Sequence, residues 1–496
     1  MFTFQLPTTS SFQLENSSPK PNLQPSIMLH AYSPGRKKSH KPLNLLYAHI
    51  SSHPYLWISL AFLLIPLFII SAARISPPCL PNRTAAAVSG SEECPLGRVY
   101  AYDLPSTFNR DLLVHNCTDL DPWNWQCGIA TNHGLGGPAA ELRRVLPENI
   151  SKSWFRTNQF ALELIFHQRI LRHKCRTAEP ESAAAFYIPF YAGLAVGKYL
   201  WINDTAKRDR HCEMLLRWVQ RQGHWHKSNG SDHFTAVGRI TWDFRRLTDP
   251  GQIWGSTFLN MPEMQRVTRF IIEKALDDDR DVGVPYPTGF HPESREILEN
   301  WQNFVLEHSR SSLFTFIGAA RGWVSHDFRG LLLSYCSNVS SSCRVVDCAA
   351  AHCSADSSAI LESFLASEFC LQPKGDSYTR RSVFDCMIAG SVPVFFWNQT
   401  AYDQYEWFLP GEPESYSVYI DHEEVRNESR IIERVLMRYS KEEIRRKREK
   451  VVETIPRIIY GIQSGGSTDF KDAFDIALDG VLERIKKERE LMSRAL

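Results

Sequence analysis

SEFCLQPKGDSYTRRSVFDCMIAGSVPVFFW, residues Ser367 to Trp397, is the stretch whose reading decides the fold. The apolar run from Ser367 to Pro373 has the length of a buried strand and stops at the turn Lys374-Gly375-Asp376-Ser377. Thr379–Ala389 then carries helical spacing, Gly390 ends it, and Val392–Trp397 is a second apolar run. Strand, turn, helix, glycine and strand make a βαβ unit, the building block of a parallel sheet. Arg380 and Arg381 fall in the first turn of that helix, Lys374 lies on the approaching loop, and Asp385 stands one turn further on. Backbone N–H groups and guanidinium forks at such a place bind phosphate oxygens, and a carboxylate nearby can accept from ribose hydroxyls. The same arginine pair on a solvated helix face would read no differently.

The pattern extends in both directions. Leu313–Ile317 is a short apolar run ending in Gly318, with Arg321 behind it, followed by a helix over Asp327–Tyr335 and a strand near Cys343–Val346. Upstream, a strand over Gly97–Tyr102, helical spacing over Gln159–Arg172 and a strand over Ala184–Phe190 repeat the alternation. A helix over Glu293–His308 leads to a junction near Ser309–Ser312. These segments predict an α/β protein of two domains, 95–310 and 311–460, with a helical segment over 461–496.

What precedes residue 95 reads differently. Residues 1–54 hold five basic groups and one acid and are rich in Ser and Pro, as a disordered cytosolic tail would be. Tyr55–Ala73 is a 19-residue stretch without a charge, about the length that crosses a bilayer. Arg36, Lys37, Lys38 and Lys41 lie before it, so the positive-inside rule keeps the tail in the cytosol and exports the rest as a single-pass type II protein. Residues 74–94, with Pro77, Pro78 and Pro81, read as a lumenal stalk. All 12 cysteines follow the apolar segment, which suits an oxidising compartment. Of 18 asparagines, nine open an Asn-x-Ser/Thr sequon, and eight of these lie beyond the segment: Asn82, Asn116, Asn149, Asn203, Asn229, Asn338, Asn398 and Asn427. With 56 Lys+Arg against 55 Asp+Glu there is no basic excess to neutralise nucleic-acid phosphates.

Three patterns compete for chemistry. Asp119-Leu120-Asp121 and Asp277–Asp281 match the short acidic motif of metal-dependent transferases, although neither closes an apolar strand. Cys343, Cys348, His352 and Cys353 have zinc-like spacing, but export favours disulfides. Lys441–Lys450 reads as a solvated helix face.

As a set, GRVYAYDLPSTFN (97–109), TNHGLGG (131–137), CRTAEPESAAAFYIPFYAGL (175–194), GSDHF with WDFRR (230–246), VPYPTGFHP (284–292), LFTFIGAARG (313–322) and the opening stretch resemble glycosyltransferase family 47, the exostosin-like family, and within it the plant xyloglucan galactosyltransferases. The resemblance spans about residues 95–440. It implies a Golgi type II enzyme with two Rossmann-like domains of GT-B type facing a cleft. It further implies an inverting, metal-independent transfer from UDP-galactose to xylosyl side chains of xyloglucan, with other hemicellulose-synthesis enzymes as partners. Arg321, Arg380, Arg381, Ser382 and Asp385 would sit at the donor, with Lys374 beside them. The exostosin pattern has a Glu where Asp385 stands here. Inversion needs one base for the acceptor hydroxyl, and Asp232 and His233 in GSDHF are the candidates for base or support, although such a pair also caps turns. Asp243, Arg245 and Arg246 are weaker candidates. Two other readings stay open: transfer of galacturonic acid or arabinose, or a non-catalytic scaffold of the same fold.

Overall fold

The computed structural model describes residues 94–114, 127–247, 254–322, 324–351, 353, 356–463 and 469–495. The predicted tail, the apolar segment 55–73, the stalk before Cys94, Asn82, Asn116, Asp119, Asp121 and His352 lie outside the described residues. Among the described residues no helix is long and apolar enough to cross a membrane.

Two parallel sheets organise the chain. The first contains β1 (Arg98–Ala101), β2 (Arg176–Thr177), β3 (Ala183–Tyr187), β4 (His233–Val237), β5 (Thr268–Ile271) and β6 (Asp281–Gly283), in the spatial order β2-β1-β3-β4-β5-β6. The second contains β7 (Ser312–Gly318), β8 (Cys343–Asp347), β9 (Ser367–Gln372), β10 (Val392–Phe395) and β11 (Val418–Tyr419), in the order β11-β10-β9-β7-β8. Every strand pairing is parallel. Counted from its own first strand, the first sheet winds 2-1-3-4-5-6 and the second 2-1-3-4-5, so each reverses direction between its first and third strands. The carboxyl ends of those two strands are where a doubly wound sheet opens a crevice.

The strands are covered on both faces, which is why they read as unbroken apolar runs rather than alternating ones. All of β4, β5 and β10 is buried. Helix α1 (Leu162–Arg172) packs on the first sheet through Leu162, Ile165, Phe166 and Ile170. Helix α2 (Arg295–Glu307) starts where the Ser294 side chain accepts from the Ile297 N–H, and it buries Leu298, Trp301 and Val305. Helices α3 (Phe328–Asn338) and α4 (Ser382–Ile388) follow β7 and β9. The charged face predicted over 441–450 is the exposed side of α5 (Lys441–Thr454), opened by a capping box between Ser440 and Glu443. Helix α6 (Ala473–Ala495) returns to the first sheet, burying Ala477, Leu478, Val481, Leu482 and Ile485. Its approach is fixed by the buried Arg169 with Asp472 and by Arg280 with Glu488 at 2.9 Å.

Disulfides join Cys94 to Cys175, Cys336 to Cys343, Cys348 to Cys353 and Cys370 to Cys386, while Cys212 is a buried free thiol. The zinc-like spacing over 343–353 therefore resolves into bridges, and no metal-holding group of His, Cys, Asp and Glu occurs among the described residues. The Cys370–Cys386 bridge ties β9 to α4, the two elements that frame the loop between them.

Candidate active site

The reversal in the second sheet lies between β7 and β9, and the loops leaving their carboxyl ends carry a cluster of cations. Gly318 ends β7, and a Cβ added there would stand 3.3 Å from a terminal nitrogen of Arg380. Arg380 donates from that nitrogen to the Ile317 carbonyl at 2.7 Å and lies over the Phe316 ring at 5.9 Å. Arg321 follows on the β7 loop, its backbone N–H donating to Asp327 at 2.5 Å. Asp327 caps α3, accepting from the Arg329 and Gly330 N–H groups at 3.1 and 3.0 Å, and this cap sets Arg329 in the first turn. Arg321 and Arg329 both reach the same oxygen of Asp376, at 2.9 and 3.0 Å.

Two guanidinium groups thus meet one carboxylate, with the Arg380 guanidinium near enough to feel their charges, and that carboxylate is 81% exposed while the two arginine side chains on it are only 14% and 15% exposed. Burial, and then Arg329 and Arg321, push the Arg380 guanidinium down to about 10. Burial and Arg321 push Arg329 down as well, with Asp376 opposing. Nε of Arg321, Nε of Arg329 and one terminal nitrogen of Arg380 are buried without a hydrogen-bond partner, as are Ser382 Oγ and both amide atoms of Gln372 at the end of β9. Buried polar atoms are ordinarily paired, so this concentration marks a place built for a polar ligand. The net positive charge and the forked donors fit a diphosphate.

The remaining donor candidates divide. The helix begins at Ser382, so Arg380 precedes it and Arg381 takes the capping position. Arg381 turns away from the cluster: it donates to the Thr157 carbonyl of the first half at 2.6 Å and pairs with Asp385 at 3.2 Å. Burial raises the Asp385 carboxyl and Arg381 opposes the shift. Lys374 stands exposed on the other flank, its Nζ 5.1 Å from the centre of the Trp397 ring. Arg321, Arg380 and Ser382 are therefore the predicted donor residues whose unpartnered atoms gather at the strand ends.

Asp232 and His233 stand elsewhere. His233 is the first residue of β4, hence at the amino edge of its sheet, and is fully buried. It lies roughly 13 Å along the strand from Val237, at about 3.3 Å per residue. Its Nε2 meets the Tyr102 hydroxyl at 2.8 Å, its Nδ1 is 2.8 Å from Asp232, and its ring stacks on Phe186 and Tyr102. Asp232 also bonds Ser228 and Arg489 of α6. The structure does not bring this pair to the cation cluster. It fills the turn-capping, core-holding role that the sequence left open.

The facing carboxyl edge of the first sheet holds another carboxyl. Glu273, two residues beyond β5, accepts from Tyr286 at 2.6 Å, from the Thr379 N–H at 3.3 Å and from the Ser377 hydroxyl. Ser377 and Thr379 belong to the loop that leads from β9 to Arg380, so Glu273 is where the two sheet edges touch. Burial pushes its carboxyl up to about 7, against the three donors. Glu163 on α1 is a second raised carboxyl, pushed to about 8 by burial although the Gly193 and Gly238 N–H groups donate to it at 2.6 and 2.9 Å. The other charges of this edge are paired. Arg239 holds Asp243, Arg245 and Arg269 hold Asp278 and Asp281, and Arg246 holds Asp209. The acidic run 277–281 is thus engaged in ion pairs through Asp278 and Asp281.

Sequence reading missed Arg329, Asp376, Gln372 and Glu273. Arg329 carries a local signal, since Asp327 is a helix cap two residues earlier. Glu273 carries only a weak one, being the first charge after the apolar run Phe270-Ile271-Ile272.

Comparison with known proteins agrees with the placement. The Exostosin GT47 domain matches residues 93–435. The xyloglucan galactosyltransferase XLT2 of Arabidopsis thaliana is 54% identical over 400 residues, 80% of this chain and 77% of that protein. The xyloglucan galactosyltransferase MUR3 of the same plant is 38% identical over 81% of this chain and 64% of that protein. A xyloglucan-specific galacturonosyltransferase, also from Arabidopsis thaliana, is 39% identical over 78% of this chain and 57% of that protein. With its domain match spanning residues 93–435 and its relatives aligned across about four fifths of its length, the chain belongs to the exostosin GT47 family.

Proposed function

We propose that this chain transfers galactose from UDP-galactose to xylosyl side chains of xyloglucan, inverting the anomeric centre, in a GT-B arrangement whose cleft lies between the carboxyl edges of the two sheets. The observation that carries the donor half is the meeting of Arg321 and Arg329 on one exposed carboxylate, with the Arg380 guanidinium beside them and buried donors of all three left without a hydrogen-bond partner. The names of the relatives carry the sugar and the acceptor.

The diphosphate takes the place of Asp376 between the guanidinium groups, and Gln372 offers both a donor and an acceptor to the nucleoside. In the reaction the acceptor hydroxyl oxygen bonds the anomeric carbon as the bond to UDP breaks. The hydroxyl proton passes to a carboxylate, and the charge left on UDP is held by the three arginines. Fixed cations aimed at developing charge lower the barrier without a metal ion. Glu273 is the base: it lies at the seam, it touches the donor loop, and its raised proton affinity suits transfer near neutral pH. Ser377 gives up its bond to Glu273 when the acceptor hydroxyl arrives.

The apolar stretch 55–73 and its basic N-terminal flank support a type II anchor in the Golgi membrane. All six described sequon asparagines, Asn149, Asn203, Asn229, Asn338, Asn398 and Asn427, are exposed, as N-glycosylation requires.

The deciding assay incubates the full chain in detergent, with chelator, with xyloglucan oligosaccharides and separately UDP-galactose, UDP-galacturonic acid and UDP-arabinose. Gain of one hexose from UDP-galactose alone is the expected result. Gain from another donor replaces the sugar in this reading. UDP binding without product from any donor overturns the acceptor, and absence of UDP binding overturns the donor site.

A further inference from the structure

Beside the seam lie aromatic rings that no step above uses. Trp242 sits in a short turn, Thr241–Phe244, and is 41% exposed. Its ring is 6.1 Å from that of Tyr378, at 50°, so the pair bridges the first half and the donor loop. Both rings are anchored at Glu273. The Thr241 N–H donates to the Glu273 carbonyl at 3.1 Å, and the residues on either side of Tyr378 donate to the Glu273 carboxyl.

A second pair adjoins the first. Trp201, 43% exposed, lies 5.8 Å from Trp254 at 31°. Gly255, the neighbour of Trp254, packs against the Trp242 backbone: a Cβ added to it would stand 3.5 Å from the Trp242 carbonyl oxygen. Tyr378 and Trp242 thus make one ring pair at the seam, and Trp254 and Trp201 make a second, joined to the first through the Gly255–Trp242 backbone contact.

Single exposed apolar side chains are ordinary, but two partly exposed tryptophans beside a candidate site need a reason. Aromatic faces bind flat apolar surfaces, and the C–H faces of an equatorially substituted pyranose are such surfaces. The strip is flanked by charges already engaged in pairs, Arg239 with Asp243 and Arg246 with Asp209. The flanking cations are therefore engaged, and the charge nearest Tyr378 is the carboxylate of Asp277, which suits a ligand that carries no negative charge. A run of rings, rather than one, suits several sugars in a row.

We infer that Tyr378, Trp242, Trp254 and Trp201 form an extended subsite for a neutral, flat, β-linked glucan chain, with Tyr378 and Trp242 next to the reacting sugar and Trp254 and Trp201 under backbone sugars further out. The inference rests on the proposed transfer to a polysaccharide acceptor. It adds that acceptor length is sensed through the distal pair.

The test uses the full chain and xyloglucan oligosaccharides of one and of several repeat units, with acceptor KM, kcat, UDP affinity and thermal midpoint measured for each variant. Trp242→Ala raises acceptor KM at least tenfold for both lengths and leaves UDP affinity and the midpoint unchanged, whereas Trp242→Phe restores most of the loss. Trp201→Ala raises KM several-fold for the long acceptor only. Unchanged KM for the long acceptor in both alanine variants overturns the strip, and so does an equal effect of Trp201→Ala on both lengths. Binding of the long oligosaccharide without donor, followed by tryptophan fluorescence, separates this from the transfer reading. If the wild type transfers nothing yet binds the oligosaccharide, and Trp242→Ala abolishes that binding, then the strip stands and the transfer assignment falls.

Discussion

The two halves of the molecule wind their sheets in the same order and differ in what they do with charge. At the edge of the first sheet arginines and carboxylates are matched: Arg269 is fully buried and reaches Asp281 at 2.7 Å and Asp278 at 2.6 Å, and Arg245 joins both. At the edge of the second, Arg321 and Arg329 share one exposed carboxylate with Arg380 beside them, and buried N–H groups of all three are left without a hydrogen-bond partner. The topology supplies a crevice in both places, and the excess of cations marks the second as the candidate ligand site. The paired edge should therefore answer mutation with lost stability, and the unpaired edge with lost binding.

The largest expected effect tests the paired edge. Arg269→Met leaves the buried Asp281 with Arg245 as its one remaining cation, beside the Thr241 hydroxyl and the Ala275 N–H, and breaking a buried pair costs about 3–5 kcal/mol. Thermal or denaturant unfolding should show that loss, while UDP affinity of the folded fraction stays at the wild-type value. A variant as stable as the wild type would show that the edge does not depend on this pairing.

Glu273→Gln tests the seam between the halves. Loss of a general base lowers turnover by about 10²–10⁴-fold, while UDP affinity should change little. The pH dependence has a definite sign. Activity of the wild type should rise with pH through about 7 as the carboxyl ionises. Folding stability should move the other way: the folded carboxyl is raised from 4.5 to about 7, so between those values the unfolded chain ionises first and stability falls as pH rises. Turnover of the Gln variant should be low and flat across that window. Wild-type turnover in Glu273→Gln would remove the residue from the reaction.

The unpaired edge comes next. Arg321→Ala, Arg329→Ala and Arg380→Ala should each weaken UDP binding by about 1.5–3 kcal/mol, roughly 10- to 150-fold, the contribution of a charge-assisted bond. Arg381→Ala should weaken it less, because that side chain is committed to Thr157 and Asp385. Titration of the variants with UDP orders the four. Equal losses at Arg381 and Arg380 would return Arg381 to the donor site.

The contrast between the edges also explains what was legible in the sequence. Strands were visible because both faces of a parallel sheet are covered, so β7, β9 and β10 read as apolar runs at 313–317, 367–373 and 392–397. Arg321 was visible because it closely follows such a run, and Arg380 because it stands at the start of the helical spacing after the next one. Which arginine points into the crevice was not visible: Arg380 and Arg381 are adjacent and diverge because one bonds the Ile317 carbonyl and the other crosses to Thr157. Asp232 and His233 looked chemical because a buried Asp–His pair has the same composition at either end of a strand, and only the register of β4 places it at the amino edge. Glu273 was hidden because its importance arises from Ser377 and Thr379, more than a hundred positions away.

The smallest effect runs in the opposite direction to the others. Asp376 accepts from the guanidinium groups of both Arg321 and Arg329, and it is exposed, so its attraction for them is worth no more than about 1 kcal/mol. If the diphosphate takes its place, then removing it spares the ligand a competitor. Asp376→Ala should tighten UDP binding by about threefold to fivefold, with a smaller gain at high salt, where the competing attraction is already screened. Asp376→Asn should give most of the same gain, because the amide keeps the size of the side chain and loses its charge. Weaker binding in both variants would mean that Asp376 holds the arginines in place for the ligand rather than standing in for it, and the unpaired edge would then depend on an internal ion pair as the paired edge does.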